Sequence, residues 1–144
     1  MHLPKEKLVD IAGELEMRMI CFIHCQTAEL ISYPQDEDFG GYFLEEENPW
    51  RQYKEKVNSD RSNYIEIEPM PSSIKYKLME DFANTIKDNW LHDQLIKALT
   101  GKKPFAHFNA LIHQVSESHK KAWFAFKQEK TVKWIKDQLL SDQS

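Results

Sequence analysis

Near residue 70 the spacing of apolar side chains changes from every second residue to every third or fourth. That switch constrains the fold more than any other feature of the chain. Before it, "RMICFIHC" (18–25) and "AELISY" (28–33) are β-branched and aromatic-rich, and "YIEIE" (64–68) alternates apolar with acidic residues. Such runs are the pattern of strands, the first two joined by a turn near Gln26 and Thr27 and stopped at Pro34. After it, Ile74, Leu78, Phe82 and Ile86 form one stripe, and Leu91, Leu95, Ala98 and Leu99 form the next. Those are helical spacings. Gly101 ends the second of these helices and Pro104 opens a third, carrying Phe105, Phe108, Ile112 and Val115. Trp123 and Phe126 anchor a fourth, and Val132, Ile135 and Leu139 a fifth. Ahead of the strands, Leu8, Ile11, Ala12 and Leu15 predict a helix over 5–16, and Pro49 opens a short one over 49–58. The expected fold is α+β: a small N-terminal antiparallel sheet of about three strands packed against a mostly helical C-terminal half. The 144 residues suit a single domain, with a mixed part over 1–70 and a helical part over 71–144.

Several chemistries are excluded by spacing. The stretch "GKKPFAHFNALI" (101–112) offers a glycine and a lysine pair, yet a phosphate loop needs Gly-x-x-x-x-Gly-Lys-Ser/Thr after a strand. Here Ile96 stands at the first glycine position, Lys103 follows Lys102, and a helix precedes. Cys21 and Cys25 flank His24, but the spacing is not Cys-x-x-Cys and no second Cys/His pair follows to complete four ligands. On a strand the two cysteines share one face about 13 Å apart, beyond the reach of a disulfide. They are expected to be buried free thiols. Residues 36–47 approach a calcium loop, with Asp36, Asp38, Gly40, Gly41 and Glu47 at positions 1, 3, 5, 6 and 12. Position 5 lacks a side-chain oxygen, position 9 is Leu44, and Pro34 interrupts the approach. The expectation there is a solvated acidic loop, and no metal or cofactor is called for. His107 and His113 lie about 240° apart on a helix and cannot share one metal. His92 and Asp93 are read as pointing apart, and Glu80 and Asp81 as a wet helix face.

Charge is distributed unevenly. Residues 1–96 carry ten Lys/Arg and nineteen Asp/Glu; residues 97–136 carry nine lysines and two glutamates. The basic segment interleaves its lysines with Trp123, Phe124 and Trp134, a pattern able to meet an acidic surface or phosphates. Lys102, Lys103, Lys120, Lys121, Lys127 and Trp123 are therefore the candidate binding residues. No arginine follows Arg61, so the forked donor that reads bases and phosphates is missing.

The C-terminal half also carries recognisable motifs: "LMEDF" (78–82), "LIKALTGKKPFAHFNALI" (95–112), "WFAFK" (123–127) and "VKWIKDQL" (132–139). With the hairpin "MICFIHCQTAELISYP" (19–34), they resemble uncharacterised protein family 0158, a group of small bacterial proteins. The resemblance implies relatives and no activity. This chain departs from the family pattern at three places. Asn109 stands where relatives typically have lysine, and His107 occupies an arginine-rich position. Ala28 stands in the hairpin turn where glycine is common, and a left-handed backbone there would strain its Cβ.

Two function classes follow. The first is a non-enzymatic interaction module whose basic, aromatic-rich helical face binds an acidic protein or a nucleic acid. The alternative is an enzyme whose site, built from histidines and carboxylates without a sequence motif, lies in a cleft between sheet and helices. A histidine clustered with a carboxylate favours the enzyme; an open basic face favours the module. No apolar run approaches the ~18 residues of a membrane span and no signal peptide opens the chain, so a cytoplasmic protein is expected.

Overall fold

A computed structural model describes residues 1–34 and 49–141; the acidic stretch 36–47 lies outside them. The helices are α1 Lys5–Glu16, α2 Arg51–Ser59, α3 Ser72–Ala83, α4 Asn89–Thr100, α5 Pro104–Gln114 and α6 Glu117–Ser141. The strands are β1 Met19–His24, β2 Leu30–Pro34 and β3 Tyr64–Ile67. The fold is α+β, with the strands in the N-terminal half and most of the helix after residue 70. The chain divides into two compact units, Met1–Pro69 with Val132–Ser144, and Met70–Thr131.

In the first unit the strand order is β2-β1-β3, both pairings antiparallel, with Cys21 opposite Ser32 on one side and Ile67 on the other. The two-residue alternation sorts side chains between two layers. Cys21, Ile23 and Ile67 face one way and pack with Leu8, Ile11 and Ala12 of α1 and Ile135 and Leu139 of α6. Phe22, Ile31, Tyr33 and Tyr64 face the other way, with Val57 of α2. The C-terminal part of α6 is tied to the end of β3 by hydrogen bonds as well as by apolar contact. The Glu68 carbonyl accepts from Trp134 Nε1 at 2.8 Å and Gln138 Nε2 at 2.9 Å, and the Glu68 amide donates to Gln138 Oε1 at 2.8 Å.

The second unit is helical. Leu78, Met79, Phe82 and Ala83 of α3, Leu91, Leu95 and Leu99 of α4, Phe108 and Ile112 of α5, and Trp123 of α6 form its core. Ile74, expected in the α3 stripe, is 40% exposed; the packed stripe starts one turn later. Asp88 caps α4 by accepting from the Leu91 amide at 2.9 Å. The Tyr76 hydroxyl donates to the Leu99 carbonyl at 2.8 Å, which joins α3 to the end of α4.

The joint at 101–104 stands where expected: α4 ends at Thr100 before Gly101, and Pro104 opens α5. Gly101 is extended, with φ −91° and ψ −165°, and the left-handed conformation falls instead on Lys103, φ 48° and ψ 57°. A side chain there crowds the following carbonyl, at about 1–2 kcal/mol. Ala28 is left-handed as well, φ 61°, so the Cβ strain expected at the hairpin turn is present.

The fourth and fifth predicted helices are one. From Phe126 to Ile135 is nine residues, about 180° around a helix, and from Trp123 to Leu139 about 160°. The apolar stripe therefore changes sides between residues 126 and 132 while the backbone stays helical. A phase break of that kind reads as a chain break in sequence.

Candidate functional site

On α6, Lys120, Phe124 and Lys127 recur at i, i+4 and i+7 and so share one stripe. Phe124 is 45% exposed. Lys127 Nζ stands 5.3 Å from the Phe124 ring centroid and 5.7 Å from that of Trp123. The imidazole of His113, from α5, meets Phe124 at 6.5 Å in an edge arrangement. Lys121 is exposed beside the stripe, and Lys120 is half-buried, its Nζ 3.9 Å from Glu117 Oε1.

Trp123 belongs to the core and not to that surface. It is 2% exposed and packs against Phe82 at 5.1 Å, Phe108 at 5.1 Å and Phe126 at 6.4 Å. It lies one residue, about 100°, from Phe124, which is enough to turn one ring inward and the other outward. Trp134, the other aromatic of the basic segment, donates its indole N–H to Glu68 and serves the first unit. Lys102 and Lys103 are exposed at the α4–α5 joint. Among the described residues no carboxylate forms an ion pair with Lys102, Lys103 or Lys121, and no hydrogen bond or ring contact joins the lysine pair at the joint to the α6 stripe. His107 and Asn109 are exposed on α5.

A second polar cluster surrounds the β1–β2 turn, and only His24 of it was evident in sequence. His24 is buried. Its Nδ1 accepts from the amides of Gln26 at 3.1 Å and Thr27 at 3.2 Å, which leaves the ring proton on Nε2, directed at Asp60 Oδ2 at 3.2 Å. Asp60 also accepts from Asn63 Nδ2 at 2.7 Å. The Asn63 amide and the His24 ring together hold the Asp60 carboxyl below its usual range. Next to them, Lys56 Nζ stands 2.8 Å from Glu29 Oε1, and the Tyr64 hydroxyl 3.4 Å from the same oxygen. The Lys56 hydrogen bond holds the Glu29 carboxyl low. Tyr64 packs edge-on against the His24 ring at 4.9 Å.

Chemically, this cluster clamps a turn. A general base needs an acceptor nitrogen facing its substrate, and both His24 nitrogens are already engaged, one by backbone amides and one by Asp60. The partners lie 36 residues away in the chain, so no local spacing could have announced them. His92 contacts carboxylate and amide oxygens too, with Nδ1 3.3 Å from Asp93 Oδ1 and Nε2 3.1 Å from Asn84 Oδ1. The expectation that His92 and Asp93 point apart is thereby corrected, since their side chains meet at 3.3 Å. Among the described residues no group of three or more His, Cys, Asp and Glu is placed to hold a metal ion.

Both cysteines are free. Burial, with Glu14 adding to it, pushes the Cys21 thiol up to about 12. Cys25 is exposed, contrary to expectation, because β1 ends at His24 and Cys25 begins the turn; its thiol lies 3.7 Å from Asn63 Oδ1.

These features define a small α+β protein with a clamped N-terminal hairpin and a lysine-rich helical unit bearing one exposed ring on α6. Residues 43–144 match the model of an uncharacterised protein family, UPF0158, and the chain belongs to that family. The match includes every C-terminal motif noted in the sequence; the hairpin at 19–34 precedes it. No curated protein and no solved structure matches the chain. No helix among the described residues is long and apolar enough to cross a membrane.

Proposed function

We propose that this protein is a non-enzymatic interaction module, binding a polyanionic partner through the basic, aromatic-bearing face of its helical unit. The observation that supports it is the state of three lysines. Lys102, Lys103 and Lys121 are exposed, with no carboxylate ion-paired to them among the described residues. They sit in a stretch, 70–131, with ten lysines and six carboxylates. Exposed cations contribute little to folding stability, but their summed field attracts and steers an anionic partner. His24 and His92 each meet a carboxylate, the arrangement that favours the enzyme alternative, but both ring nitrogens of each are already hydrogen-bonded within the fold, which weighs against it. The free cysteines fit a reducing, cytoplasmic setting.

The test is Lys102→Gln, Lys103→Gln and Lys121→Gln together, with binding to labelled oligonucleotides and to polyglutamate followed by fluorescence anisotropy at low salt. The triple variant should keep the thermal midpoint of the parent and lose affinity. A parent protein that binds neither polyanion overturns the proposal.

A further inference from the structure

We infer that the Lys120–Phe124–Lys127 stripe of α6 binds single-stranded nucleic acid without sequence preference, Phe124 stacking a base and the lysines holding phosphates. The inference rests on the basic-face proposal and names its partner.

A turn of 3.6 residues places the three side chains within an arc of about 60°, and Lys120 lies about 10 Å along the axis from Lys127. Lys121 flanks the same arc. Phe124 is 45% exposed in the middle of it. Its surroundings are cationic or titratable: Lys127 at 5.3 Å from the centroid and His113 at 6.5 Å. Glu117 also falls on the stripe, 3.9 Å from Lys120, and Glu129 is about 140° away on the other side of the helix.

The chemistry favours a partner that pairs flat apolar groups with regularly spaced anions. An acidic protein helix would bring carboxylates together with branched apolar anchors, which need a cluster or pocket to fill. The stripe offers one ring. The other large exposed apolar residues of this unit, Ile74 and Trp90, lie on α3 and α4. A lone aromatic set among lysines is the arrangement that stacks bases in single strands, where every base presents a π-face. In a duplex those faces are covered. Lysine without arginine supplies charge without the fork that reads base edges, so binding should be indifferent to sequence.

The experiment uses the full chain and a labelled twelve-nucleotide oligo(dT), compared with a duplex of equal length and with polyglutamate, by anisotropy across a salt series. Phe124→Ala should weaken oligo(dT) binding about 5- to 150-fold, the range for one lost base stack, and leave the salt slope unchanged. Phe124→Leu keeps the apolar bulk and the fold but should lose most of the same affinity. Lys120→Gln and Lys121→Gln should each lower the slope of log K against log salt by about 0.7. If the lysine variants weaken binding while both Phe124 variants stay within twofold of the parent, stacking is refuted and the basic-face proposal stands. Duplex or polyglutamate bound as tightly as oligo(dT) also refutes it. Loss of all polyanion binding by the parent removes both.

Discussion

Phe108→Ala tests the architecture of the helical unit where it is most concentrated. The ring is wholly buried and meets Trp123 at 5.1 Å with the planes 65° apart. A buried aromatic removes roughly 150–250 Å² from water, which at about 25 cal/mol per Å² is roughly 4–6 kcal/mol gross. Alanine retains part of that, and partial collapse of the cavity recovers more, so the expected loss is about 3–5 kcal/mol. A domain of this size has about 5–15 kcal/mol in total. In urea, with a slope of about 2 kcal/mol per M, the midpoint should fall by about 2 M. Phe108→Leu, which keeps most of the volume, should cost less than about 1.5 kcal/mol. Phe124→Ala provides the contrast: one residue from Trp123 in the chain and 45% exposed, it buries about half as much area and should cost roughly half as much, about 1–2 kcal/mol. Equal losses for Phe108→Ala and Phe124→Ala in equilibrium denaturation would refute the assignment of one ring to the core and the other to the surface.

Three further outcomes are expected. Alkylation of the native protein should modify exposed Cys25 and spare Cys21, whose burial holds it as a thiol near a pKa of about 12; unfolding should expose both, and intact mass reads the difference. Asp60 titrates below its ordinary value near 3.8 because of Asn63 and His24, so its contribution to stability is present above about pH 4 and lost as pH falls through its folded value. Asp60→Asn should therefore make acid unfolding less steep below about pH 4, read by circular dichroism against pH. Finally, Lys102→Gln, Lys103→Gln and Lys121→Gln should each move stability by no more than ~0.5 kcal/mol in urea titration, as exposed side chains without an ion pair among the described residues do.

The fold was legible where one physical signal dominated. Helix α1 has its expected bounds, and the three strands fall within two residues of theirs, because a half-buried surface imposes a period that few residues disturb. Legibility failed where two demands met in one element. Helix α6 was divided because Trp123 and Phe126 serve one core and Ile135 and Leu139 another, with the apolar phase turned by about half a circle. Trp123 fits both a helix stripe and a basic surface in sequence, because composition records that an aromatic lies among lysines without recording which way it faces; the fold turns it into the core. The lysines were legible as charge, but whether a carboxylate neutralises each depends on tertiary neighbours. The network around His24 was invisible, since Asp60 and Asn63 reach it only when β3 pairs with β1.

The backbone at Ala28 links those two kinds of information. The hairpin closes through Ala28 N–H to the His24 carbonyl at 2.9 Å and His24 N–H to the Glu29 carbonyl at 3.0 Å, and that closure requires a left-handed residue at 28. Glycine would adopt it without strain; alanine does so against a cost of about 1–2 kcal/mol. The imidazole of His24, by accepting from Gln26 and Thr27 at the same turn, supplies hydrogen bonds that offset a cost of this size, each net bond contributing about 0.5–1.5 kcal/mol. His24 is thereby committed to holding a strained turn. The same reasoning separates the two polar regions of the protein. Groups at the hairpin have their hydrogen-bonding capacity consumed by the fold, whereas Lys102, Lys103 and Lys121 hold charge that the described fold does not use.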